Sequence, residues 1–283
     1  MNYSGVIIDM GNILVGASSW ADRALIGSGW YPREHNTTAG RLEYYAGRFP
    51  IVGVDTTAYA TPATETVAAW AERTPPGFTF DVTAFNLLTG HRVRPDAIPA
   101  DLRPDTADRV RHRDLDDRTM AELWRRFHES LQPLVDAGKL GAVLLRFPDW
   151  LARGDAATRR VLATARECRP HRVAVELRHP SWYEGSHALQ TLRTLQADDI
   201  GYVCVDESFE PGPVVVATAE PGMVRLHRAH TEAGLARWAQ RLRSLADEVD
   251  TLHVLIDSPG GRAPLDAATL ADKLHIGRLV TRP

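Results

Sequence analysis

Short runs of apolar, often β-branched residues recur along the chain, each followed by polar or Gly/Pro punctuation and then a longer stretch at helical spacing. Eight such runs can be placed: Ile13 to Gly16, Ile51 to Val54, Thr79 to Thr83, Ala142 to Phe147, Arg172 to Leu177, Gly201 to Val205, Met223 to His227 and His253 to Ile256. Most are nearly continuous in apolar residues, as a strand covered on both faces must be. The stretches between them predict helices over 39–49, 64–72, 117–137, 155–168, 186–197, 233–249 and 267–274. Thr74-Pro75-Pro76-Gly77 and Glu210-Pro211-Gly212-Pro213 read as breaks. Arg92 to Asp116 carries three prolines and alternating charge, which predicts a long excursion after the third strand, a lid or a surface insertion.

Repeated βα units make either a closed (β/α)8 barrel or an open doubly wound sheet. The open sheet commonly places a Gly-rich phosphate turn after its first strand, and no G-x-G-x-x-G is present here. The expectation is therefore a single α/β domain over residues 1–283, a (β/α)8 TIM-type barrel. A length of 283 residues suits that fold, and 44% hydrophobic with 24% charged residues is an ordinary globular composition.

A formal net charge of −3 gives no general electrostatic case for nucleic acid or anionic membranes, so a small molecule is the expected partner. No apolar run approaches a membrane span, and Met1 to Val15 does not read as a cleaved signal peptide. Two cysteines, Cys168 and Cys204, make no disulfide framework, which points to a cytoplasmic protein. Oligomeric state is left open.

In such a barrel the chemistry comes from residues leaving the C-terminal ends of the strands. Glu176 is the sharpest of these: it interrupts Val173-Ala174-Val175-Glu176-Leu177, where an unpaired carboxylate would cost several kcal/mol. Its partner is expected to be Arg178 on the same strand or Arg225 on the next strand but one. Glu176 reads as a general base or metal ligand, or else as half of a structural ion pair. Arg225 and His227 share a strand face and suit an anion, with His227 as acid or base. Asp55, Asp206 and Asp257 each close an apolar strand and could join Glu176 and His227 in the chemistry. A divalent metal on that set is possible, yet no local ligand spacing supports one, and no cofactor is specified. Arg146, His91 and His179 are further ligand-binding candidates, and Trp20, Tyr59 and Trp182 could wall the opening.

Several segments together resemble the YecE-like family, domain of unknown function seventy-two. They are Val15-Gly16-Ala17-Ser18-Ser19-Trp20, Gly29-Trp30-Tyr31-Pro32, Arg41-Leu42-Glu43-Tyr44-Tyr45-Ala46, Trp70 to Phe78 and Ala174 to Trp182. The resemblance runs nearly end to end and implies a TIM-type barrel without an assigned reaction. It also marks this chain as divergent. Gly53 stands where the family carries Glu, Thr83 where it carries Lys, Arg146 where Gln is common, Arg228 where Gly follows the His, and Asp257-Ser258 where Asn-Asn is usual. Two functions stay open: an enzyme acting on a small anionic or polyhydroxylated substrate, and a non-catalytic binding barrel that has lost the pocket Glu and Lys.

Overall fold

The structure, a computed structural model, describes residues 12–106, 108–206 and 214–276. Eight parallel strands close in chain order: β1 Asn12–Ala17, β2 Ile51–Val54, β3 Thr79–Thr83, β4 Leu140–Arg146, β5 Val173–Glu176, β6 Gly201–Val205, β7 Gly222–Leu226 and β8 Thr251–Ile256. Helices return the chain between them: α1 Arg23–Gly27, α2 Thr38–Ala46, α3 Thr64–Glu72, α4 Asn86–Thr89, α5 Asp117–Asp136, α6 Asp155–Glu167, α7 His187–Ala197, α8 Glu232–Ala246 and α9 Ala263–Leu274. The chain is thus a (β/α)8 TIM-type barrel. The Glu210-to-Pro213 break lies outside the described residues, and no helix among the described residues is long and apolar enough to cross a membrane.

Alternation of side chains divides the buried residues into two sets. Most strand residues face the helices and join one large core, while Ala142, Leu144, Ala174, Val203, Val205 and Met223 form a separate cluster inside the barrel. The inward set continues upward as Arg146 on β4, Glu176 on β5 and Arg225 on β7, because each lies an even number of positions from an interior residue. Since all strands run parallel, these three meet at one opening.

Below them, His253 Nδ1 sits 2.9 Å from Asp81 Oδ2, and Asp81 Oδ1 accepts the Ala142 backbone N–H at 2.9 Å. That bond falls where the β3–β4 register shifts between Phe80 and Val82, so the carboxylate satisfies a donor the ladder leaves over.

The β1–β2 seam is joined through a side chain. The Tyr45 hydroxyl accepts from the Ala17 N–H at 2.6 Å and donates to the Ile51 carbonyl at 3.0 Å. Gly16 makes room for it, because a Cβ there would lie 2.0 Å from the Ile51 carbonyl oxygen.

The excursion after β3 is no free flap. Val93 and Val110 pair as an antiparallel bridge, both are buried with Ile98, and Asp101 is held by Arg126 of α5. Three apolar residues spaced far apart in sequence anchor it, a pattern that window periodicity does not register.

Two aromatic expectations are corrected. Trp20 is 4% exposed and packs edge-on against Trp70 and Phe80 in the outer core, and Trp182 is 2% exposed with its indole N–H donated to the Leu151 carbonyl. Neither ring faces the opening as a ligand platform; each supplies the large apolar area that a strand–helix interface needs.

Candidate active site at the barrel mouth

Glu176 is buried and requires a cation. Of the two partners the sequence offers, Arg225 supplies the close contact: its Nη1 donates to Glu176 Oε2 at 2.9 Å, whereas Arg178 Nε stands 3.9 Å from Oε1. Arg225 is wholly buried and serves a second acid, with Nη2 donating to Asp55 Oδ2 at 2.7 Å and lying 3.2 Å from Ser18 Oγ. Asp55 also accepts from Thr83 Oγ1 at 2.7 Å. Thr83, where the resemblance implies a lysine, is therefore a hydrogen-bond donor to the acid that follows β2. The chain turns immediately after Asp55, where the Thr57 hydroxyl lies 2.6 Å from the carbonyls of both Val54 and Thr83, which fixes the carboxylate's origin.

His227 follows β7 and reaches the same Glu176 oxygen, with Nε2 at 3.8 Å from Oε2, while its Nδ1 lies 3.4 Å from Asp257 Oδ2. Burial alone would disfavour the imidazolium, but hydrogen bonding to Asp257 and Glu176 outweighs it and raises the pKa to about 9. Glu176 is driven the other way. Burial favours its neutral form, yet the charge of Arg225 and the contact with His227 overcome this and hold the carboxyl well below the usual range. Asp257 is likewise lowered, chiefly by His227 and against its own burial. At neutral pH the centre holds ionised acids and a protonated histidine.

Arg146 lies 3.8 Å from Asp55 Oδ2. Its charge also reaches Glu176, Asp257 and His91. His91 accordingly has its basicity lowered, first by burial and then by Arg146, with Arg178 adding to the effect. Its Nδ1 is 3.1 Å from the Thr89 hydroxyl. Tyr59, just past the turn after β2, is 68% exposed.

Asp206 and His179 stand apart from this cluster. Asp206 accepts the backbone N–H groups of His227 at 2.8 Å and Arg228 at 3.0 Å, and its Oδ2 lies 2.7 Å from His230 Nε2. It pins the strand exit that carries His227 and does not face Glu176 directly. His179 caps a short 3-10 turn, its Nδ1 accepting the Ser181 N–H at 3.2 Å.

The five-residue metal set is not assembled. Asp55 and Glu176 face a guanidinium, Asp206 faces His230, and among the described residues no three His, Cys, Asp or Glu side chains are placed to hold a metal ion.

Sequence reasoning passed over His230, Thr83 as a donor, and the interior Asp81–His253 pair. The last carries the same signal as Glu176, a polar titratable residue interrupting an apolar strand, in Phe80-Asp81-Val82 and Leu252-His253-Val254.

Fold and site together define a (β/α)8 barrel with an ion-paired polar mouth. The chain matches the family described as "Protein of unknown function DUF72" over residues 14–283, and it belongs to that family. It is 29% identical over 225 residues to the "UPF0759 protein YunF" of Bacillus subtilis (strain 168), which covers 76% of this chain and 70% of that protein. Among solved structures it is similar to a DUF72 family protein from Enterococcus faecalis V583, with a TM-score of 0.72, 20% identity, and 94% of this chain and 99% of that one covered. A DUF72 family protein from Thermotoga maritima MSB8 superposes with a TM-score of 0.67 at 22% identity, covering 93% of this chain and 99% of that one. At these identities the structural likenesses speak for the fold.

Proposed function

We propose that the mouth is an acid–base active site for a small anionic substrate. The observation that carries this reading is that His227 contacts Glu176 and Asp257 while the charge of Arg146 reaches both that centre and His91, and the two imidazoles have their basicities pushed in opposite directions, His227 upward and His91 downward. Such a divergence assigns roles, His227 as the acid that delivers a proton and His91 as the neutral base that accepts one. Arg146 and Arg178 hold the substrate's carboxylate or phosphate, and the exposed Tyr59 ring borders the bound molecule. Glu176, Arg225 and Asp55 form the fixed ionic floor beneath it. Glu176 is too well paired to serve as a base; its role is to keep His227 protonated. Asp206 positions the His227 backbone. Buried, unpaired Cys168 and Cys204 support a cytoplasmic setting.

The test is a thermal-shift panel of carboxylated, phosphorylated and neutral polyhydroxylated metabolites, followed by turnover assays on the stabilising compounds. Anions should stabilise, Arg146→Ala and Arg178→Ala should abolish that shift, and His91→Gln or His227→Gln should lower turnover about 100-fold while binding persists. Neutral sugars stabilising as well as anions would overturn the reading.

One observation favours a second reading, a binding barrel without turnover. Thr83 is committed to Asp55, and Gly53 has no side chain, so the two positions where the family resemblance places Lys and Glu present no free functional group. Ligand stabilisation with no turnover of any stabilising compound by the unmodified protein would decide for it.

A further inference from the structure

A cavity of about 430 Å³ lies where the excursion after β3 meets α6 and the segment after β4. Arg92, Arg111, His112, Arg113, Trp150 and Arg160 line it, with Gly90 at its edge and no acidic residue in the lining. Arg113 Nε lies 3.9 Å from Asp114. Arg92, Arg111 and Arg160 form no ion pair among the described residues. Four arginines thus line one cavity, and three of them have no ion-paired carboxylate among the described residues, on a chain whose net charge is −3.

Arg160 is the most constrained of them. It projects from α6 across Gly90, where a Cβ would lie 2.2 Å from its Nη2, and Gly90 adopts φ +97, a left-handed conformation that glycine tolerates. The missing side chain lets the guanidinium lie over the turn. Burial disfavours its charge, and no neighbouring carboxylate offsets this; His112 is held below its ordinary basicity first by its own burial and then by the charge of Arg160, against Asp117. An anion from outside is the partner these groups lack. Trp150 adds a second chemistry: its ring is 57% exposed, lines the same cavity, and makes no ring contact among the described residues. An exposed indole beside clustered guanidinium groups matches a ligand with a planar base and a phosphate.

We infer that this cavity is a nucleotide site, with Arg92, Arg111 and Arg160 taking the phosphates and Trp150 stacking on the base. It is separate from the mouth and goes beyond the acid–base reading given for it. The phosphate could belong to a free nucleoside phosphate or to a strand of single-stranded nucleic acid, two sources of one chemistry.

The experiment is titration of the full chain with adenosine diphosphate, read by calorimetry and by tryptophan quenching, with pyrophosphate and a short oligothymidylate as parallel probes. Saturable binding is expected. Arg92→Ala and Arg160→Ala should each weaken it about tenfold, Trp150→Ala should weaken it comparably and remove the quenching, and Arg146→Ala should leave it unchanged. Tighter binding of oligothymidylate with the same variant pattern would support the site and name the strand as its occupant. Three results would overturn the inference: no saturable binding at millimolar nucleotide, pyrophosphate binding as tightly as adenosine diphosphate, or loss of binding in Arg146→Ala with Arg160→Ala unaffected.

Discussion

Arg225 holds Glu176 and Asp55 at once, donating from Nη1 to one at 2.9 Å and from Nη2 to the other at 2.7 Å. The planar guanidinium is what permits this, since a lysine ammonium is a single point and cannot present two donors fixed on separate nitrogens.

Arg225→Met is therefore expected to cost about 3–5 kcal/mol, because it strands a buried carboxylate without a counter-charge. The double variant Arg225→Met/Glu176→Gln should recover part of the loss. Urea denaturation at neutral pH measures both, and a single-variant cost under about 1 kcal/mol would contradict the arrangement.

The His227 pKa of about 9 stands above the ordinary histidine value of 6.5. A group with a raised folded pKa contributes stability that is fully present below the unfolded value and is lost as pH climbs through the folded one. The melting temperature should fall between about pH 6.5 and 9, and His227→Gln should flatten that slope. Asp257→Asn should bring the histidine's pKa down, which an imidazole NMR titration reads directly. An unchanged titration would show that Asp257 does not support the imidazolium.

Placing on β2 the glutamate that the resemblance implies at position 53 should fail. A Cβ at Gly53 would lie 3.0 Å from the Ser18 Cα and 3.1 Å from Leu255 Cδ1, with the strand backbone unable to yield freely. Gly53→Ala is expected to cost about 1–3 kcal/mol and Gly53→Glu more. A neutral effect in denaturant melts would mean that the seam between β1, β2 and β8 is looser than described.

Tyr45→Phe removes the hydroxyl that joins Ala17 to Ile51 and leaves both backbone groups short of a partner. The expected loss is about 1–3 kcal/mol, with faster amide exchange at Ala17 than at Val15. Exchange rates unchanged at Ala17 would show that this N–H finds another acceptor.

The fold was legible because each barrel strand is covered on both faces and so reads as an apolar run; only the ends moved, β5 closing at Glu176 where Leu177 had been expected. Glu176 stands out as a charge inside such a run, with Arg178 and Arg225 as its two candidate partners; the fold decides for Arg225. What could not be read was how polar groups spend their bonds across the fold. Asp206 closes an apolar strand much as Asp55 does, yet it is consumed by two backbone amides and His230. Trp20 and Tyr59 both follow a strand, and only packing against α3 decides that the first is core and the second exposed. The arginine cavity draws on four separate segments, so no window of sequence contains it. Helix α9 begins at Ala263, ahead of the expected Ala267, because Pro264 is compatible with a first helical turn.

The apolar plug of Leu144, Ala174, Val203 and Met223 above the sealed Asp81–His253 pair makes the barrel blind at one end. Among the described residues, exchange with solvent therefore reaches the ionic cluster from the mouth side, where Arg146 and Asp55 keep partial exposure. A ligand seated at that mouth would slow hydrogen exchange at Glu176, Arg225 and His227 together.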